Sequence, residues 1–309
     1  MKKNHFLFLV CLFTSYIVLY TSYITNAQDL TSRKGEPILP EEKDLAISFD
    51  AVPFFNYAGN LFSGSTSANT SPAAAWVEPN TMTITGKIFK TPKTALRGTV
   101  RLGLLSAKVS AMVPDAAITT PPVFPEPKPT REDVHKITLS NIGIGIGKEW
   151  RRGKTRLQGV YGGEAIIWRS TEKHTYEYGN ALSETIVVDT AANGTTYNFG
   201  SNITIDPYGN LARIKSEKMN SIFGLGIRGF IGGEYFLFPK ISVGAEYGWG
   251  IGIDVRGEGY QVVESVGGSP AQKGEQKIKT GKGSGIGIDN DINGGTGSGT
   301  AQLKVTFHF

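Results

Sequence analysis

From Ile241 to Arg256 every second residue is apolar and every intervening one is small or polar. Ile241, Val243, Ala245, Tyr247, Trp249, Ile251, Ile253 and Val255 share one parity. Ser242, Gly244, Glu246, Gly248, Gly250, Gly252, Asp254 and Arg256 share the other. Side chains along a strand point alternately to opposite faces, so this segment predicts a strand with one wholly apolar face. A soluble sandwich strand can alternate too, but its polar face normally carries larger solvated side chains. Glycine recurring on the polar face is what a narrow barrel interior requires.

The same pattern returns along the chain. Ile142, Ile144 and Ile146 alternate with Gly143, Gly145 and Gly147; Phe223, Leu225, Ile227 and Ile231 alternate with Gly224, Gly226, Arg228 and Gly232. The last residues set Leu303, Val305, Phe307 and Phe309 against Gln302, Lys304, Thr306 and His308. Strands are expected near 44–58, 80–90, 95–110, 137–150, 156–171, 219–237, 241–256 and 300–309, about eight in all. Three connections are very short, at residues 91–94, 151–155 and 238–240. The other four, near 59–79, 111–136, 172–218 and 257–299, are long and polar. Strict alternation of short and long connections is the asymmetry of an outer-membrane barrel, with tight periplasmic turns and long outer loops. Aromatic residues gather at both expected ends: Phe89, Trp150, Tyr235, Phe236 and Phe238 at one, Tyr57, Trp168, Tyr176 and Tyr178 at or beyond the other. Two such girdles suit interface depth. Beyond residue 27 no stretch has eighteen unbroken apolar residues, so membrane residence would have to be by strands.

Lys2 and Lys3 precede an apolar stretch over residues 6–19, and small residues stand at Thr25 and Ala27. This is the layout of a secretory signal peptide over residues 1–27, cleaved before Gln28. Residues 28–43, with Pro37 and Pro40, are expected as a periplasmic linker, and 44–309 as the barrel. The one cysteine, Cys11, falls in the signal segment, so the exported chain would have no disulfide. Removing Lys2 and Lys3 leaves 30 basic against 27 acidic residues, scattered without a basic block; nucleic acid is not an expected partner.

Segments within the expected strands resemble the small outer-membrane β-barrel family of Gram-negative bacteria that includes the OmpA, OmpX and opacity-type barrels. They are Ala51-Val52-Pro53-Phe54-Phe55-Asn56-Tyr57, Thr85-Gly86-Lys87-Ile88-Phe89, Ala95-Leu96-Arg97-Gly98, and the run from Gly233 through Pro239 to Gly248. The resemblance implies an all-β fold, a closed antiparallel up-and-down transmembrane barrel, located in the outer membrane. It also implies that Phe309, with Phe307 and Val305, is the signal read by the barrel-assembly machinery. It carries over no activity, because the family is defined by its scaffold. No periplasmic peptidoglycan-binding domain is expected after the last strand.

On the parity above, Arg97, Arg101, Arg156, Arg228, Glu149, Glu164, Glu234 and Glu246 point to the interior. Charges in so narrow a space must pair, which predicts a salt-bridged plug centred on Arg101, Glu164, Arg228 and Glu246. A conducting pathway is the alternative use of the same residues. Asp289-Asn290-Asp291-Ile292-Asn293-Gly294 opens like a calcium loop, but Thr300 stands where a bidentate Glu is needed, so a flexible loop is expected. His135, His174 and His308 are far apart in sequence and show no metal-ligand spacing; no metal or cofactor is expected. His174 near a loop serine or acid is the only hint of a membrane-embedded hydrolase, and nothing fixes its partner. The proline-rich stretch over 114–136 favours extended backbone. The expected function is therefore non-enzymatic: a plugged barrel anchoring surface loops for envelope structure, adhesion or partner binding. A narrow channel or transporter is the alternative. The expected partners are outer-membrane lipid, the assembly machinery, and an extracellular ligand or envelope protein.

Overall fold

The computed structural model describes residues 30–51, 57, 60, 83–118, 120, 122–191, 194–289 and 301–309. The expected signal peptide, most of the first expected loop and the would-be calcium segment beyond Asp289 lie outside the described residues.

Thirteen strands are found among the described residues, all in one antiparallel sheet, where about eight were expected. They are β1 (Leu45–Asp50), β2 (Thr83–Thr91), β3 (Thr94–Pro114), β4 (Thr130–Arg152), β5 (Leu157–Glu177), β6 (Ile203–Ile205), β7 (Leu211–Lys218), β8 (Ile222–Phe238), β9 (Ile241–Arg256), β10 (Tyr260–Gly267), β11 (Gln272–Lys279), β12 (Gly283–Asp289) and β13 (Ala301–His308). The strand expected over 241–256 is β9, with the same bounds. Pairing runs β1–β2, β2–β3, β3–β4, β4–β5, β5–β8, β8–β9 and β9–β13, and β13 pairs β1. The five further strands lie where polar loops were expected. β7 joins the end of β5 at Lys173–Thr175, β6 and β10 flank β7, β11 follows β10, and β12 pairs the last part of β9.

The extra strands escaped the period-two pattern for physical reasons. β11 carries one large apolar residue, Ile278, and β7 has a bulge at Lys215, which is left out of the ladder between Ile214 and Ser216 against consecutive Val263 and Val262 and so interrupts its alternation. Their core is small: Tyr176, Ala212, Ile214 and Val263, with Tyr178, Phe199 and Ile278 packed against it.

β3, β4 and β5 also run past their expected ends, and along each the polarity of the two faces inverts. On β3 the exposed side carries Leu96, Val100, Leu102 and Leu104, then Ser106, Lys108 and Ser110. The opposite side begins with Arg97, Thr99 and Arg101, then turns apolar at Leu105, Ala107, Ala111 and Val113. β4 changes beyond Ile142 to Ser140, Thr138 and Lys136, and β5 beyond Ile167 to Arg169, Thr171 and Lys173. The registers align these changes: Leu102 faces Ile142, and Ile144 faces Ile167. A level therefore crosses the three strands. On one side of it apolar residues face outward; on the other most of them face inward, as in a soluble sheet, with Met112 on the outward face of β3 and a half-exposed Val109 on its inward face among the exceptions.

Residues 30–43, within the expected linker, pack with Asp44 against the short-turn end. Ile38 is fully buried, its carbonyl accepts from the Lys240 amide at 3.2 Å, and the Lys240 ammonium meets Asp44 and Glu41. Lys240 takes a left-handed φ of 60° in the tight β8–β9 turn, a conformation uncommon for a residue with a Cβ.

Candidate functional site

The buried face of the eight mutually paired strands holds a continuous ionic cluster. Glu246 on β9 receives three cations: Arg97 Nη1 at 2.9 Å, Arg228 Nη1 at 3.0 Å and Lys304 Nζ at 2.9 Å. Arg228 also reaches Glu164 at 2.6 Å, and Glu164 accepts a hydrogen bond from Thr99 at 3.2 Å. Arg97 Nε lies 3.2 Å from Glu164 Oε2. Its guanidinium is also stacked 4.0 Å from the Phe230 ring centroid. Five strands thus meet at two carboxylates.

A second knot lies nearer the short turns. Glu149, fully buried, meets Lys87 at 2.9 Å, with Arg97 and Arg151 each 3.7 Å away. Glu234 pairs with Arg151, accepts from the Ser242 hydroxyl and lies 3.2 Å from His308 Nε2. Phe89 and Phe236 cover this knot, with the Arg151 guanidinium 5.3 and 5.6 Å from their rings. Glycine makes the room: a Cβ on Gly248 would overlap the Arg228 guanidinium, and one on Gly224 would overlap the Trp168 ring.

Of the eight charges named from sequence, Arg97, Arg228, Glu149, Glu164, Glu234 and Glu246 come together in these two knots. Arg101 is buried on the same face. Arg156 does not join. It precedes β5 and donates to the Leu237 carbonyl at 3.2 Å, because the alternation used to place it begins one residue later. Arg97 and Glu246 lie among the contacts of the expected Glu164 and Arg228. Lys87, Arg151, Lys304 and His308 were not named, although each shares its strand's polar parity; that parity was the signal that could have found them. At the chain end, Phe307 packs edge-on against Phe49 at 6.4 Å, and Phe309 exchanges backbone hydrogen bonds with Leu45. Val305 faces Phe49 in register.

Beyond the inversion level the inward face carries a different cluster. His135 Nε2 lies 3.0 Å from His174 Nδ1, and His174 Nε2 lies 2.8 Å from Glu172 Oε1. Tyr176 stacks on His135 at 4.3 Å, and its hydroxyl meets Ser201 at 3.0 Å. The expectation that these histidines are separated is thus corrected for His135 and His174: His135 faces Tyr176 in the β4–β5 register, which puts His174 diagonally beside it. The β4–β5 hairpin was expected, but not extended this far. Next to it Arg213 holds Glu264 at 2.7 Å and stacks on Tyr178 at 4.1 Å. Burial pushes the Tyr178 phenol well above its ordinary range. Burial works to raise the Glu264 carboxyl, yet Arg213 and Lys273 outweigh it and hold the group below the usual carboxylate range. No group of three or more His, Cys, Asp or Glu among the described residues converges on a metal position.

Comparison with known families, curated proteins and solved structures finds no match. The family resemblance rests on the strand segments alone. Chemically, both knots are ion pairs closed on themselves. In the second knot the Ser242 hydroxyl, which donates to Glu234, also lies 3.4 Å from His308 Nε2, and all three groups are buried.

Proposed function

We propose that the chain is a non-enzymatic outer-membrane β-barrel of eight strands, β1–β5, β8, β9 and β13. Its interior is plugged by the two ionic knots, and β6, β7, β10 and β11 form a folded platform outside the membrane. The observation that carries the reading is the exposed apolar band. Ile144, Ile146, Ile167, Leu225, Ile227, Trp249, Ile251 and Ile253 are all 38–72 % exposed, while the opposite face of the same strands is charged. A water-soluble sheet would put those residues inside; lipid accepts them outside. The pairings that lead from β1 round to β13 and back support closure, since a spanning sheet must leave no open edge. The family resemblance supports the same location, and the self-neutralising knots support a scaffold over a general pore. The platform would then present a fixed surface for adhesion or for an envelope or extracellular partner.

Single-cysteine variants test the reading, because Cys11 is the only native cysteine. In native membranes, Ile144→Cys, Leu225→Cys and Val243→Cys should resist a water-soluble maleimide, while Lys277→Cys should react on intact cells. Free labelling of the first three would defeat the membrane assignment. In planar bilayers the protein should give no steady current; well-defined channels lost in Glu246→Gln would favour the transporter instead.

A further inference from the structure

Just past the inversion level the outward face carries four lysines on four adjacent strands. Lys108 on β3 stands directly opposite Lys136 on β4, and Lys173 on β5 directly opposite Lys218 on β7. Lys136 faces Thr175, two residues from Lys173, so the two opposed pairs are joined diagonally. Opposed residues in an antiparallel sheet have Cβ atoms about 4.5–5.5 Å apart and diagonal ones about 7–8 Å, and like charges directly opposite destabilise the sheet. This chain sets two such pairs side by side. Arg169, on the same face of β5, lies between the row and the apolar band, opposite Ile142.

Other platform cations have partners: Lys215 meets Glu275 at 2.7 Å, Lys273 meets Glu264 at 3.1 Å and Lys279 meets Glu258 at 2.9 Å. Lys108, Lys136, Lys173, Lys218 and Arg169 form no ion pair with any described residue. The closest acids in sequence do not neutralise them. Glu172 and Glu217 lie on the opposite face, bonded to His174 and Gln261. Glu132 shares the outward face but stands four residues beyond Lys136, about 13 Å away, and Glu177, diagonal to Lys136 on the side away from Lys173, forms no ion pair with it. The row ends at Tyr260, opposite Lys218, where Lys277 sits 4.2 Å over the ring.

We propose that this row binds the phosphates of anionic lipid headgroups in the leaflet next to the platform. The inference rests on the membrane reading above. Its own support is charge complementarity, the absence of protein counter-ions, and position: the cations begin where the outward apolar band stops, at the depth where headgroups replace hydrocarbon. A fluid layer of phosphates supplies several anions along one row, which relieves both opposed pairs together.

The test uses the full chain in neutral maltoside micelles, titrated with phosphatidic acid or phosphatidylcholine and read by native mass spectrometry. Each basic residue near an anionic surface contributes roughly a fivefold gain in affinity. Lys136→Gln/Lys173→Gln should therefore weaken phosphatidic acid binding about twentyfold and leave phosphatidylcholine unchanged. Lys215→Gln/Lys279→Gln, with the same loss of net charge, should bind phosphatidic acid like the parent. Equal phosphatidic acid binding by row variant and parent overturns the proposal, as does an equal loss in the control. Inorganic phosphate or a heparin fragment occupying the row as tightly as the lipid overturns the lipid assignment. Circular dichroism confirms that each variant is folded. If the chain remains in the aqueous phase without detergent, the membrane reading itself fails. If it partitions into detergent and the row variant still binds phosphatidic acid normally, this inference alone fails.

Discussion

Glu246 is the residue on which the buried charges of this chain turn, because Arg97, Arg228 and Lys304 all lie within 3.0 Å of its carboxylate. Removing one member of a buried ion pair leaves its partner charged and desolvated, at a cost of about 3–5 kcal/mol. Glu246→Gln should therefore lower stability by about that amount in a urea titration of the refolded protein; Lys304→Met, which removes only one of three cations, should cost less. An equal or smaller effect of Glu246→Gln would mean that water, not protein, solvates the cluster. Gly248 tests the same knot by shape. A Cβ there would overlap the Arg228 guanidinium, which is held by Glu164 and Glu246 and has little freedom to move away. Gly248→Ala is expected to be destabilising, and Gly248→Ala combined with Arg228→Met less so than the sum of the two. Strict additivity in that double-mutant cycle would separate Gly248 from the network.

At the level of elements, the platform strands are held by polar contacts more than by core. β7 meets β5 through only three paired residues, and β10 pairs β7 over six residues, with Arg213–Glu264 across the pair and the Ser265 hydroxyl donating to Asp206 of the 206–210 turn. Hydrogen bonds from Ser265 and Asn210 pull the Asp206 carboxyl down to about 2. Both folded-state values lie below the unfolded ones, about 4.3 for Glu and 3.9 for Asp. Their stabilisation is present above those unfolded values and is lost as pH falls through the folded ones. Between pH 5 and pH 2, the protection of β6, β7 and β10 amides, relative to the intrinsic exchange rate at each pH, should therefore fall. Glu264→Gln should exchange faster than the parent at pH 7 and change less on acidification, since glutamine does not titrate. A parent platform insensitive to acid would remove these carboxylates from its support. The same elements show where the sequence could be read and where it could not. β9 was legible to the residue because sixteen positions alternate without a break. β3, β4 and β5 were legible to a few residues past the inversion level, where their apolar side changes face, and their last four to seven residues beyond it were not. β7 and β11 were not legible, one through its bulge at Lys215 and the other through its lack of apolar residues. Parity alone placed six of the eight named charges on the buried face and would have placed Lys87, Arg151 and Lys304 there too; which acid each of them meets is decided by the register, which sets the neighbouring strands.

The whole molecule divides by the source of its cohesion. β1–β5, β8, β9 and β13 pair with one another through registers that involve no platform strand, and their ionic knots use no platform residue. The platform depends in the other direction, since Tyr176 at the end of β5 is part of its core. Replacing residues 260–279 by a short Gly-Ser linker should therefore leave detergent partitioning and the urea midpoint of the eight-strand unit nearly unchanged. It should also uncover Ala212 and Ile214 and leave Arg213 without Glu264, so exchange should rise across β6 and β7 and the His135–Tyr176 stack should loosen. Near-ultraviolet circular dichroism, to which Tyr176 and Tyr178 contribute, reads the second effect, and far-ultraviolet dichroism reads the first. Loss of folding in the eight-strand unit on this excision would show that the platform is a structural part of it, and the platform could no longer be read as a surface carried by an independent scaffold.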